Sequence, residues 1–196
     1  MAVETDPQSD TQPSPEKDHS GNYWRFAAMI ATSMAAMFAL MYANTFALDH
    51  VRWSETRFYM TFVMGAAMAG IMLSFMLGMY KSKKVNFGIF AASVLVLLGA
   101  TWLVRSQATV EDQSYMSAMI PHHSIAILTS ERSTIDDLRV CELAAEIIEA
   151  QRREIAEMDW LIADIAESGP AETEAEAESR PVPGFQGSST RTCPGS

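Results

Sequence analysis

The chain has 196 residues, with 14 Lys and Arg against 24 Asp and Glu, for a net charge of −10. The acidic balance argues against a nucleic-acid binder, which needs a basic field to displace phosphate counterions. Two cysteines rule out a disulfide-rich scaffold and a cysteine-based structural zinc site.

The charges are unevenly placed. Residues 1–22 are rich in Ser, Pro, Asp and Glu, and a disordered N-terminal tail is expected because so little apolar surface can be buried. Three stretches that follow, 26–48, 58–80 and 85–104, contain no Asp, Glu, Lys or Arg. At ~1.5 Å per residue each is long enough to cross ~30 Å of hydrocarbon. Lipid offers the backbone no hydrogen bonds, so each span should be a helix, within a transmembrane region 23–105. The first span follows a long acidic leader and has no small-residue cleavage pattern after it, unlike a signal peptide.

The loops set the orientation. Lys81, Lys83 and Lys84 crowd the second connection, against Arg52 and Arg57 in the first. The positive-inside rule then places the N-terminus and the second connection in the cytoplasm, and everything after Arg105 outside it. The reading is a multi-pass protein of a bacterial cytoplasmic (inner) membrane, partnered by the bilayer, with a periplasmic C-terminal domain.

Ten of the 14 Met lie in the first two spans, and Met60, Met64, Met68, Met72 and Met76 repeat every four residues. At 3.6 residues per turn that repeat drifts ~40° per step, which winds the thioethers around the helix. They read as packing filler among Gly65, Ala66, Ala67, Ala69 and Gly70 and not as a copper ladder. No span holds Asp, Glu, Lys, Arg or His, which argues against a proton- or ion-coupled transporter.

Residues 106–168 carry 13 acidic and 4 basic side chains. The apolar positions predict one helix over roughly 111–132, with Pro121 kinking it or starting a new one, and a second over roughly 134–167. A cap is expected within Ser133–Asp137, and Gly169-Pro170 ends the second helix. The fold expected is all-α: three transmembrane helices, then an extracytoplasmic antiparallel hairpin. A hairpin has little core of its own, so a partner helix pair from another subunit (a homo-oligomer through this domain) or this chain's own loops should cover it. The end, 169–196, is Gly-, Pro-, Glu- and Ser-rich and reads as a disordered C-terminal tail.

The chemistry candidate is Met116-x-x-Met119-x-x-His122-His123. Met116, Met119 and His123 share one helix face, and His122 sits beside it. On the second helix Gln151, Glu154 and Met158 repeat the spacing, so packing the two faces adds a carboxylate and a thioether. Thioether with imidazole suits copper. The candidate metal ligands are His122, His123, Met119, Met116, Met158 and Glu154. Affinity should fall as the pH drops through the imidazole range, since neutral imidazole is the ligand. The bland alternative makes the two Met core and the His pair ordinary hydrogen-bonding groups. Asp49-His50 is a second candidate ligand pair, but a straight continuation of the third span would carry Met116 ~18 Å beyond the end of that span, out of its reach. No nucleophile–base pair, nucleotide motif or haem motif is present, so no enzyme is read.

Tyr115-x-x-x-Met119-Ile120-Pro121-His122-His123, then Ala126, then Ala144…Ile147-Ile148-x-x-Gln151-x-x-Glu154-Ile155-x-x-Met158, resembles the bacterial domain-of-unknown-function 305 family over about 106–167. Tyr42-x-Asn44-Thr45, Asp49-His50, Ser54-x-Thr56-Arg57 and Met79-Tyr80-Lys81 resemble its membrane-anchored branch. The resemblance implies a ferritin-like fold related to copper-binding proteins of the CopM type, and copper bound through His122, His123 and nearby Met in metal homeostasis or resistance. The alternative is a non-catalytic structural or oligomerisation module of the envelope with the His pair in a helix interface.

Overall fold

A computed structural model describes residues 20–193. Among them are six α-helices and no strand: α1 (Ser20–Leu40), α2 (Glu55–Met76), α3 (Lys83–Ser106), α4 (Asp112–Arg132), α5 (Leu138–Ser168) and α6 (Glu174–Ser179), with a 3-10 turn at Leu48–His50 between α1 and α2. Most of the expected N-terminal tail, 1–22, lies outside the described residues.

Three helices are long and apolar enough to cross a membrane: Asn22–Leu40, Glu55–Met76 and Lys83–Ser106. α1 and α3 both pack on α2, which is central. Gly65 of α2 lies against the Met34 thioether of α1, which fills the space a Cβ would take. Met60 and Met64 are exposed, whereas Met72 and Met76 pack on the cluster of Phe26, Leu73 and Tyr80. The five Met thus face different directions, as their spacing dictates.

The first span ends earlier than its charge-free stretch. Helix α1 stops at Leu40, not near residue 48. Thr45 Oγ1 donates to the Tyr42 carbonyl at 3.0 Å, closing a turn. The following Phe46 lies beyond α1 and joins the apolar cluster of α4 and α5. A segment free of charge is suited to any apolar surroundings, and here a protein core takes the end of it.

Helices α4 and α5 form the expected antiparallel pair, with Ile120, Ile127 and Ile155 buried between them and Met158 and Ile162 alongside. Helix α4 runs through Pro121 uninterrupted, so no new helix begins there. Asp137 caps α5 by accepting from the Arg139 N–H at 2.9 Å. The Arg139 side chain, followed by the backbone N–H groups of Arg139 and Val140, holds the Asp137 carboxyl below its ordinary value. Gly169 ends α5 at φ 77°, a left-sided conformation that glycine adopts without strain.

Two features cover the hairpin. The first is the α1–α2 loop. Phe46 enters the core, Arg52 reaches Asp159 at 3.0 Å, and the Arg152 guanidinium lies 5.7 Å from the Phe46 ring centre. The loop reaches the hairpin because α3 does not continue straight. Gln107 takes a left-handed φ of 53° and turns the chain back. Thr109 and Ser114 then donate to the Glu55 carboxylate over the start of α2.

The second is the segment after α5, and it corrects the expectation of a disordered tail for 169–193. The segment contains α6, closed by a Thr173–Glu176 capping box, and returns along α5. Arg180 bridges to Asp164 at 2.6 Å. Gly187 sits on the Glu149 carbonyl where no Cβ fits, and Arg152 donates to the Ser188 carbonyl at 2.9 Å. Arg191 donates to the Ser130 and Ser133 carbonyls at the end of α4, where a cation is favoured. A disulfide, Cys141–Cys193, ties the segment to α5. It acts as a strap held by polar contacts and a covalent bond, neither of which needs apolar composition.

Candidate functional site

The buried face of α4 carries Met116, Ile120, Ser124 and Ile127. Successive helical residues point ~100° apart, so His122, His123 and Ser124 face three directions. The structure gives each a different partner.

His123 faces α5. Its Nδ1 lies 2.9 Å from the Met119 carbonyl. A carbonyl only accepts, so Nδ1 carries the proton. Its Nε2 lies 2.8 Å from Glu154 Oε2. The His123 side chain is 12% exposed and Glu154 40%. The pair therefore lies at the seam of the hairpin with the carboxylate open to solvent. The backbone carbonyl on Nδ1 is the kind of contact that orients a ligating imidazole, but Nε2 is itself engaged by the Glu154 carboxylate, and a metal would have to take the place of that hydrogen bond.

Ser124, fully buried, faces the α1–α2 loop. Its Oγ accepts the Phe46 N–H at 2.7 Å and shares a hydrogen bond with His50 Nδ1 at 2.9 Å. His50 therefore docks beside the motif helix, one residue along from His123, whereas a straight third span would have kept it away. Sequence reasoning missed this contact.

His122 is exposed and faces a cavity of about 260 Å³ between the start of α2, the end of α3 and the first turns of α4. Met119, Tyr115, Ser54, Thr56 and Arg57 line it as well. Residues of the two resembling motifs, Ser54-x-Thr56-Arg57 and Tyr115-x-x-x-Met119, thus share one cavity. The His122 and His123 ring centres are 6.1 Å apart and the rings are steeply inclined.

The six expected ligands are divided among three surroundings. His123 and Glu154 pair, while Met119 and His122 line the cavity. Met116, 6% exposed, is core, and Met158 packs on Ile120, Ile127 and Ile155. Among the described residues no group of three or more His, Cys, Asp or Glu is placed to hold a metal ion. A metal held by this chain would rest on the His123–Glu154 pair, supplemented by a thioether, water or a second copy.

Residues 103–191 match the family model described as Domain of unknown function (DUF305). An uncharacterized protein of Acanthamoeba polyphaga mimivirus is 28% identical over 145 residues, covering 69% of this chain and 91% of that protein. No solved structure matches the chain. The segment that matches the family model is the end of α3, the helical pair and most of the strap.

Proposed function

We propose that this chain is an integral membrane protein whose domain of the domain-of-unknown-function 305 type, a ferritin-like hairpin, lies outside the cytoplasm and binds copper at His123 and Glu154. The observation that carries this reading is the His123 ring, held through Nδ1 by the Met119 carbonyl with Nε2 facing a solvent-accessible carboxylate. Nitrogen and carboxylate oxygen suit Cu(II). Met119, one turn before His123, and Met158, one turn after Glu154, are the thioethers that a shift in side-chain rotamer would offer to Cu(I). The reading is of a binding protein and not an enzyme, and its role is in metal homeostasis or resistance.

Two features support the orientation. Lys81, Lys83 and Lys84 mark the cytoplasmic side. The Cys141–Cys193 disulfide belongs in an oxidising compartment, on the other side of the bacterial inner membrane. The partners are the bilayer, the metal ion and a second copy, for which exposed Leu138, Val140 and Leu143 offer apolar surface.

One observation favours a second reading. Both ring nitrogens of His123 already have partners, as in a purely structural clamp between α4 and α5. Titrating the full-length protein in detergent with Cu(II) and Cu(I) decides between them. On the copper reading, His123→Ala and Glu154→Gln each weaken binding at least tenfold. If both variants bind copper as the wild type does and only lose stability, the clamp reading stands.

A further inference from the structure

The cavity that His122 faces is electrostatically unsuited to a metal ion, and its contents have a different logic. Arg57 lines it and is half-buried. Its Nη1 donates to the Met41 carbonyl at 2.8 Å, and its guanidinium carbon lies 4.5 Å from the Tyr42 ring centre. Among the described residues it has no carboxylate partner. Five other arginines do: Arg52 with Asp159, Arg139 with Asp137, Arg152 with Glu131, Arg153 with Glu157 and Arg180 with Asp164. Arg191, also half-buried, is held by two carbonyls and the Cys141 sulfur. Arg25, Arg105 and Arg132 are exposed to solvent. Arg57 is thus the half-buried arginine whose fork of five donors is mostly uncommitted, beside a domain rich in carboxylates that pass it by.

Partial burial of an unpaired guanidinium is unfavourable unless an anion meets it. The neighbouring walls supply matching donors: the Ser54 and Thr56 hydroxyls, the Tyr115 phenol and the His122 ring. Val110, Ala118 and Met119 make the rest of the lining apolar. The cavity also has a defined depth. Ser54 caps α2, and Gln107 follows α3, so both spanning helices end here, at the level of lipid headgroups. Exposed Trp53 and Phe58 flank the same end of α2, as aromatic side chains do at a membrane interface.

From this juxtaposition we infer that the cavity is a phosphate-binding site, in which Arg57, Thr56 and His122 hold the phosphate of an outer-leaflet phospholipid against the apolar wall of α4. The site is separate from the His123–Glu154 pair and does not depend on copper.

The test uses the full-length protein in a detergent without phosphate. Two probes are titrated separately and followed by phosphorus NMR line broadening: dihexanoyl phosphatidylglycerol below its micellar concentration, and inorganic phosphate. The expected result is saturable binding of the short-chain lipid, weakened at least about tenfold by Arg57→Gln, as loss of a charge-assisted hydrogen bond dictates. His122→Asn and Thr56→Val, which leave Arg57 in place, should each weaken it by a smaller factor. Copper titration of Arg57→Gln and Thr56→Val should match the wild type. Saturable binding of inorganic phosphate with the same dependence on Arg57 supports the phosphate site and assigns a free oxyanion as its source in place of lipid. Binding of neither probe, or binding indifferent to all three substitutions, overturns the proposal.

Discussion

Cys193→Ser should weaken the unit of α4, α5 and the strap by more than any contact it removes. Cys141 is 1% exposed on α5 and stays packed in the variant, and the strap keeps its arginine contacts and its seat on Glu149. The effect therefore acts through the unfolded chain. The disulfide joins residues 52 apart. Closing a loop of that length removes entropy worth roughly 4 kcal/mol at 25 °C, and measured disulfides commonly deliver about 2–4. The assay is hydrogen exchange of the full-length protein in detergent, read at the slow amides around Ile120, Ile148 and Ile155. Those amides exchange by opening of the unit, so the loss should speed them by about thirty- to a thousandfold. Reducing the wild type should give the same change. If exchange rises only in 180–193 while the core amides keep their protection, the bond does not limit opening of the hairpin and the reasoning fails.

Three further outcomes follow from the same geometry. Gly187→Ala places a Cβ on the Glu149 carbonyl, so the strap must lift; a cost on the order of 1–3 kcal/mol is expected, read as faster exchange in 180–193 with the disulfide intact. Ser124→Ala strips the Phe46 N–H of its acceptor and His50 of its partner inside the core. It should cost about 1–3 kcal/mol in a chemical unfolding titration, and an unchanged midpoint would mean the loop is not docked. The Asp137 carboxyl is held below its ordinary value by Arg139 and two backbone N–H groups. A lowered native value means its capping contribution is complete above the unfolded carboxyl value, near pH ~4, and is lost as the pH falls through the native one. Exchange in the first turn of α5 should rise in that acid range in the wild type and show no such step in Asp137→Asn.

Much of this architecture was legible in the sequence because the forces that set it act on composition and period. Charge-free runs stand out, so three helices long and apolar enough to cross a membrane could be located, and the apolar stripe of α5 marks a helix that ends at Gly169 as expected. The pairing of His123 with Glu154 was likewise readable as two helix faces of matched spacing. What escaped were features decided by single backbone or side-chain events. The fold-back hangs on Gln107 in a left-handed conformation, at a residue type that carries no turn signal and with no Gly or Pro between 103 and 112. The early end of α1 goes with Phe46 packing on the hairpin cluster, a contact far away in sequence. The strap was hidden because low apolar content signals disorder only when burial must supply the stability. Here a disulfide and arginine–carbonyl contacts do so.

These escaped features redefine what the folding unit is. Residues 106–168 alone would be a hairpin lacking Phe46 from its core cluster, lacking His50 and the Phe46 N–H at Ser124, and lacking Arg52 at Asp159. It would also have a free Cys141 and no cation on the last carbonyls of α4. His123 lies next to Ser124, so the imidazole that faces Glu154 is positioned by a helix whose back is held by the α1–α2 loop. The relation runs the other way as well: the cavity around Arg57 has α4 as one wall and exists only while the hairpin is docked on the anchor. Anchor, hairpin and strap therefore form one unit. A binding measurement on the isolated hairpin would report on a rearranged core, whereas the same measurement on the full chain reports on the site.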